Sequence, residues 1–185
     1  MPFLNREPSL YPENLLESGG PESSADRWWC FSTLARAEKA IARRLLAQQI
    51  PFYCPTITKR FRSKSGRLRE SFVPLFPSYV FVRGDESQRI AVLKTNKISR
   101  CQEVIDPSRL IEDLRKIQQA IAAGAPLTPE ARIVAGNRIR VRSGPFAGVE
   151  GYVLRREGKT RLLLAVRFIE QGVSMEIDEA LLETM

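Results

Sequence analysis

"VPLFPSYVFVR", residues 73–83, is the stretch on which the reading of this chain turns. Tyr79–Val82 reads as a strand, yet its apolar residues do not alternate with polar ones. A sheet with one wet face should read apolar inward and polar outward. This strand is therefore either central and covered on both sides, or one of its faces awaits a partner.

The surrounding sequence sets bounds on that choice. The 185 residues are 43% hydrophobic and 27% charged, as in an ordinary globular protein of one large domain or two small ones. No apolar run is long enough to span a bilayer. The N-terminus lacks a basic start followed by an apolar block, so a cytoplasmic protein without a secretory signal is expected. Cys30, Cys54 and Cys101 are odd in number and far apart, and none forms C-x-x-C. They read as small buried hydrophobes rather than disulfide, redox or metal residues.

Charge is distributed unevenly. The chain carries a net +8. Residues 1–26 hold one base against five acids, residues 27–122 hold 19 bases against 8 acids, and residues 137–185 are nearly balanced. The positive field thus sits on the middle segment and points to a polyanion there. The same profile marks the organisation. Residues 1–26 are rich in Pro, Ser, Gly and Glu, without periodicity, and read as a disordered tail. Residues 123–136, with Gly124, Pro126 and Pro129, read as a flexible linker. Two domains follow, 27–122 and 137–185.

In the first, "WWCFSTL" (28–34) is a strand and "ARAEKAIARRLLAQQI" (35–50) a helix, with Ala37, Ala40, Ile41 and Leu45 as its apolar stripe. Arg36, Lys39 and Arg43 share the opposite face. Two extended arms around "RSKSG" predict a hairpin with Gly66 near its tip. Asp85 and Gln88 form a capping box for a short helix through about Leu93. "ISRCQEVI" (98–105) is a further strand. Asp106 and Pro107 then open a helix whose stripe is Leu110, Leu114, Ile117 and Ile121. Residues 137–185 contain only short strands separated by glycines, the pattern of a small barrel. Ile139 and Val141 alternate with Arg138, Arg140 and Arg142, a period of two that excludes a helix there.

The missing chemistry narrows the function. There is no histidine, which removes Ser-His-Asp and Cys-His nucleophile pairs and His metal sites together. "SGPFAGVEG" lacks both the G-K-[ST] of a phosphate loop and the G-x-G-x-x-G of a dinucleotide site. Glu176, Asp178 and Glu179 read as a solvated edge. No enzyme, catalytic residue, metal or cofactor is expected. The best chemical feature is the hairpin, where Lys59, Arg60, Arg62, Lys64, Arg67 and Arg69 face one acid, Glu70. Such a tethered charge suits phosphate contact, and Phe61 among the cations is placed to stack on a base. The plainer reading is a basic arm that resists edge aggregation.

In order and spacing, "WWCFSTLARAEKAIARRL", the basic hairpin, "PLFPSYVFVR" and "GNRIRVRSGPFAGVEGYV" resemble NusG-type transcription elongation factors over about residues 27–184. "PLFPSYVFV" looks especially like the antitermination paralogues of the RfaH and UpxY type, and the last segment is similar to the KOW motif. The resemblance implies an α+β fold: an NGN domain with an antiparallel sheet and packed helices, then an SH3-like KOW β-barrel. It implies docking of an apolar patch on the clamp helices of the RNA polymerase β′ subunit, and "FPSY" carries Phe76, Pro77, Tyr79 and Phe81 onto that role. The family commonly has Gly or Asn at the place of Ser78. The hairpin cations Lys59, Arg60, Arg62 and Lys64, the Arg36/Lys39/Arg43 face and Lys97 would lie near DNA of the elongation complex. A His-Thr-Thr motif that RfaH-type members use against the β-subunit gate loop is absent, "IAVLKT" (90–95) standing there, so gate-loop contact is unassigned. Phe168 and Ile169 match the hydrophobic KOW loop that recruits ribosomal protein S10 or Rho. A monomer is expected. A ribosome-associated or RNA-binding KOW protein, and a scaffold with a solubilising basic surface, are the competing readings. Only the elongation-factor reading requires polymerase binding.

Overall fold

The computed structural model describes residues 8–17, 25–133 and 136–185. The chain divides into two compact units, Met1–Pro107 and Ser108–Met185. The first holds β1 (Leu10–Tyr11), β2 (Arg27–Thr33), α1 (Glu38–Ala47), β3 (Phe52–Tyr53), β4 (Thr56–Arg62), β5 (Leu68–Pro74), β6 (Tyr79–Gly84), α2 (Glu86–Leu93) and β7 (Ile98–Glu103). The second holds α3 (Pro107–Ala122) from its second residue on, then β8 (Thr128–Glu130), β9 (Arg138–Val141), β10 (Glu150–Arg156), β11 (Lys159–Val166), β12 (Gln171–Glu176) and β13 (Leu182–Thr184). The class is α+β, with antiparallel pairing throughout.

The non-alternating strand is central. The first unit's main sheet runs β1-β3-β6-β2-β7, so β6 is flanked on both edges. Val80 and Val82 point to the side of α1, where they join Trp29, Phe31, Ile41, Leu45 and Phe52 in one core cluster. Residues directly opposite in an antiparallel pair share a face. Phe81 lies opposite Cys30 and Tyr53, and Arg83 opposite Trp28, on the other face. All five are buried as well. With both faces covered, alternation has no reason to appear.

Local signals explain where the helices start and stop. The helix expected over 35–50 begins only at Glu38, because Arg36 takes a left-handed φ of 61° that a helix cannot propagate. Arg36 therefore does not share a helical face with Lys39 and Arg43. α1 ends in a Schellman motif. Gln49 is left-handed at φ 55°, its N–H donates to the Leu46 carbonyl, and the Ile50 N–H donates to that of Leu45. The capping box at Asp85 and Gln88 forms as expected, with both reciprocal hydrogen bonds present. In α3, Leu110, Leu114 and Ile117 are buried together with Ile111 and Ala120, while Ile121 is only half-buried.

Three expectations need correction. Residues 1–26 were expected to be a disordered tail. The parts at 1–7 and 18–24 lie outside the described residues, but Leu10–Tyr11 adds an edge strand to β3, and the turn after it buries Leu15 and Leu16 completely or nearly so. Two adjacent leucines in a polar segment supply apolar surface that outweighs its composition. Residues 123–136 were expected to be a flexible linker. Thr128–Glu130 instead pairs with β12, and Glu130 accepts a 2.6 Å hydrogen bond from Ser174 Oγ. The boundary between units falls at Pro107/Ser108 rather than after residue 122. The helix 107–122 groups with the second unit because Asp113 on it binds Arg167.

In the second unit the sheet order is β13-β9-β10-β11-β12-β8. Its end strands β13 and β8 have no further partner strand among the described residues, so the expected barrel is present only as an open antiparallel sheet. Ile139 and Val141 are buried and Arg138, Arg140 and Arg142 exposed, as the period of two requires. Close packing fixes glycines in this sheet: a Cβ on Gly151 would sit 2.5 Å from the Leu163 carbonyl, and one on Gly172 would sit 2.6 Å from that of Leu164. Among the described residues no helix is long and apolar enough to cross a membrane.

Candidate functional site

The turn between β5 and β6 carries the four residues expected to dock. Pro77 is exposed and Tyr79 half-buried, but Phe76 and Phe81 are 2% and 0% exposed. The expected patch of four exposed anchors is therefore wrong for these two. Phe81 is held inside by its place on the central strand, between Cys30 and Tyr53. Leu34, with half of its surface free, follows Thr33 of β2, whose N–H donates to the Ser78 carbonyl.

The turn is held by a group the sequence reading passed over. Ser78 has a φ of 65°, the left-handed conformation that Gly or Asn adopts more readily. Its N–H donates a 2.6 Å hydrogen bond to Glu38 Oε1, and its carbonyl accepts one of 2.8 Å from the Thr33 N–H. Glu38 is only 5% exposed. A signal for it existed: Glu38, Ile41, Ala42 and Leu45 fall at i, i+3, i+4 and i+7, so an acid stands on the apolar stripe of α1.

The basic residues are less unified than the sequence suggests. Lys97 and Arg36 are exposed, and the Lys97 carbonyl accepts from the Leu34 N–H, which places both at one end of the sheet. Arg43 is exposed on α1 and Lys39 half-buried. On the hairpin, Lys59, Arg60, Arg62 and Lys64 are all exposed. The tip is internally bonded: Gly66 at φ 75° donates to the Ser63 carbonyl, and Ser63 donates to that of Arg67. The strand register divides the arm into two faces. Arg60 stands opposite Glu70 and pairs with it at 2.7 Å, while Arg69 stands opposite Phe61.

In the second unit, Phe168 is half-buried and Ile169 buried, in a single 3-10 turn at Arg167–Ile169. This turn is clamped to α3. Asp113, 4% exposed, accepts from the Arg167 backbone N–H at 3.0 Å, from Nε at 3.0 Å and from Nη2 at 2.7 Å. Those bonds raise the Arg167 guanidinium above its ordinary pKa. Close by in sequence on α3, Lys116 lies 2.7 Å from Glu112 and 3.9 Å from Glu150, which also binds Arg140 and Arg138. The Arg140 hydrogen bond is the main cause holding the Glu150 carboxyl below its ordinary value.

Cys30 is fully buried and burial pushes its thiol up to about 12, far from a reactive thiolate. The three cysteines are free. Among the described residues no cluster of three or more His, Cys, Asp or Glu could hold a metal. Glu176 and Glu179 are ion-paired with Lys159 and Arg155, and Asp178 caps the turn that follows it.

Comparison with known proteins gives three likenesses. An asparagine–tRNA ligase from Herpetosiphon aurantiacus is 29% identical over 133 residues, covering 69% of this chain. The chain spans only 27% of that ligase's length. A chain in the crystal structure titled MjSpt4:Spt5 complex, conformation B, is 16% identical and covers 85% of this chain and 96% of its own, with a TM-score of 0.25, too loose an overlay to carry an argument. The family model described as transcription termination factor nusG matches residues 26–115, which hold β2 through β7, the hairpin, α1, α2 and the start of α3. Over these residues, just under half of its length, the chain is similar to the NusG family of transcription factors.

Proposed function

We propose that this protein is a transcription elongation and antitermination factor that docks on RNA polymerase through its first unit. The observation that carries this reading is the NusG-family match over residues 26–115, which falls on the unit bearing both the "FPSY" turn and the basic hairpin. The docking surface is the rim of that turn, where Pro77 and Tyr79 reach solvent, with Phe76 and Phe81 supporting it from beneath. Anchors of this kind, partly apolar and near the centre of a contact, dominate interface energies. The partner surface is the β′ clamp helices. Arg36, Lys39, Arg43, Lys97 and the hairpin then face DNA of the elongation complex. Phe168 is the accessible part of the loop that recruits S10 or Rho, with Ile169 forming its buried base.

Retention on immobilised core RNA polymerase tests the reading. The wild-type chain should be retained stoichiometrically. Tyr79→Ala should lose at least ten-fold in affinity while keeping its circular dichroism spectrum, since truncating a central anchor costs about 2 kcal/mol. A wild-type chain that polymerase does not retain refutes it, and would leave an RNA-binding KOW protein as the better account.

A further inference from the structure

We infer that one face of the β4–β5 hairpin is a binding site for single-stranded nucleic acid, built by Phe61 with Lys59 and Arg69. The inference rests on the elongation-factor reading only for where such a strand would be met.

The register carries the argument. In the β4–β5 ladder Ile57 stands opposite Val73, Lys59 opposite Ser71 and Phe61 opposite Arg69. Because side chains alternate along a strand, these three rungs share one face. Thr58 opposite Phe72, Arg60 opposite Glu70, and Arg62 opposite Leu68 make up the other. The six cations of the arm are thus not one field. On the second face Arg60 is neutralised by Glu70 at 2.7 Å. The first face has no acid on any of its three rungs. Lys59 and Arg69 are exposed, and neither makes an ion pair among the described residues.

Between those two cations lies an aromatic ring that the fold does not use. Phe61 is 45% exposed and is absent from the core cluster, unlike Phe31 and Phe52, which are fully buried. Lys59 and Phe61 lie two residues apart on one strand, about 7 Å, and Arg69 is directly across from the ring. A ring set between unpaired cations matches an unpaired base with its flanking phosphates. Stacking needs an open base face, which a duplex hides and a single strand offers. Cation–phosphate contacts alone would serve a duplex equally. The ring therefore selects the single-stranded form. The hydrogen-bonded tip keeps the two strands in register, so the face is already formed before binding.

Fluorescence anisotropy of the full-length protein tests this with three labelled probes: a dT12 single strand, an rU12 single strand and a 12-base-pair duplex. Phe61→Ala should weaken dT12 binding about ten-fold and change duplex binding by less than two-fold. Phe61→Tyr, which keeps the ring, should restore dT12 binding to within two-fold of wild type and shows that the arm is folded. Lys59→Ala and Arg69→Ala should each lower the slope of log affinity against log salt by about 0.7, whereas Arg60→Ala should leave it unchanged. The two single-stranded probes share bases and phosphates, and the tighter of them names the strand. The inference fails if Phe61→Ala binds dT12 like wild type, if it loses duplex binding to the same extent, or if Arg60→Ala matches Arg69→Ala. No polymerase is present, so retention on polymerase without oligonucleotide binding would overturn this inference alone. Oligonucleotide binding without polymerase retention would overturn only the docking.

Discussion

The hydrogen bond from the Ser78 N–H to Glu38 is the contact that should decide whether the docking turn holds its shape. Glu38→Ala removes a charge-assisted bond of 2.6 Å whose acceptor is 5% exposed. Bonds to charged groups contribute about 1.5–3 kcal/mol, and the orphaned N–H adds to the loss, so about 2–3 kcal/mol is expected. Glu38→Gln keeps an acceptor oxygen at the same reach and should cost only about 1 kcal/mol. Ser78 adds a second element, since its φ of 65° costs about 1 kcal/mol that the Glu38 bond offsets. In Ser78→Gly the turn keeps its left-handed shape without that help. Glu38→Ala should then lose polymerase affinity in the Ser78 background and regain most of it with Ser78→Gly. Urea unfolding followed by Trp fluorescence is the assay for stability. Trp28 and Trp29 both lie on β2 and are buried, so the signal reports on the first unit. The reasoning is refuted if Glu38→Ala costs less than about 0.5 kcal/mol, or if Glu38→Gln is as damaging as Glu38→Ala.

Three further outcomes are expected. Asp113→Ala should destabilise the second unit by about 2–3 kcal/mol, below the range for a fully buried pair because Arg167 keeps a third of its side chain in water. Hydrogen exchange should show the Arg167 amide, which Asp113 accepts from, losing protection in that variant. The folded-state pKa of Glu150 lies below its ordinary 4.5, chiefly through the Arg140 hydrogen bond, so the stability it contributes is present above pH 4.5 and is lost as pH falls through the lowered value. The unfolding free energy measured between pH 7 and pH 3 should therefore fall less steeply for Glu150→Gln than for wild type. Replacing both Leu15 and Leu16 by alanine should release the N-terminal strand, and exchange of the Cys54 amide, bonded at 2.7 Å to the Ser9 carbonyl, reports it by losing protection.

What the sequence revealed, and what it hid, follows from how local each cause is. The Asp85–Gln88 box, the Gly66 turn and the alternation of Ile139 and Val141 with three arginines are written within a few residues, and each appears in the structure. Arg36 was read onto a helix because spacing says nothing about φ, and one left-handed residue moved the start of α1 to Glu38. The strand at Leu10–Tyr11 is two residues long and exists because β3 offers it an edge, a partner more than forty residues away. Strand Thr128–Glu130 depends in the same way on β12. Composition alone assigned both to flexible chain. The Asp113–Arg167 clamp joins residues 54 apart and left no periodic trace.

The docking residues combine both kinds of cause. Within "FPSY", Ser78 takes the left-handed conformation that Gly or Asn favours. Exposure, however, belongs to the sheet and not to the motif. Two neighbours of the same motif, Tyr79 and Phe81, point to one face of β6, yet one is partly open and the other closed. Tyr79 stands at the strand's first position, opposite Ser32, where the sheet ends. Phe81, two residues on, has paired strands on both sides at Cys30 and Tyr53. A contact surface on this turn must therefore grade from Pro77 and Tyr79 inward. Substitutions should follow the same gradient, with Tyr79→Ala acting on binding and Phe81→Ala acting first on stability, by about 3–5 kcal/mol as for other buried aromatic residues. A Phe81→Ala protein as stable as wild type would refute this gradient and show that the ring is free to reach a partner.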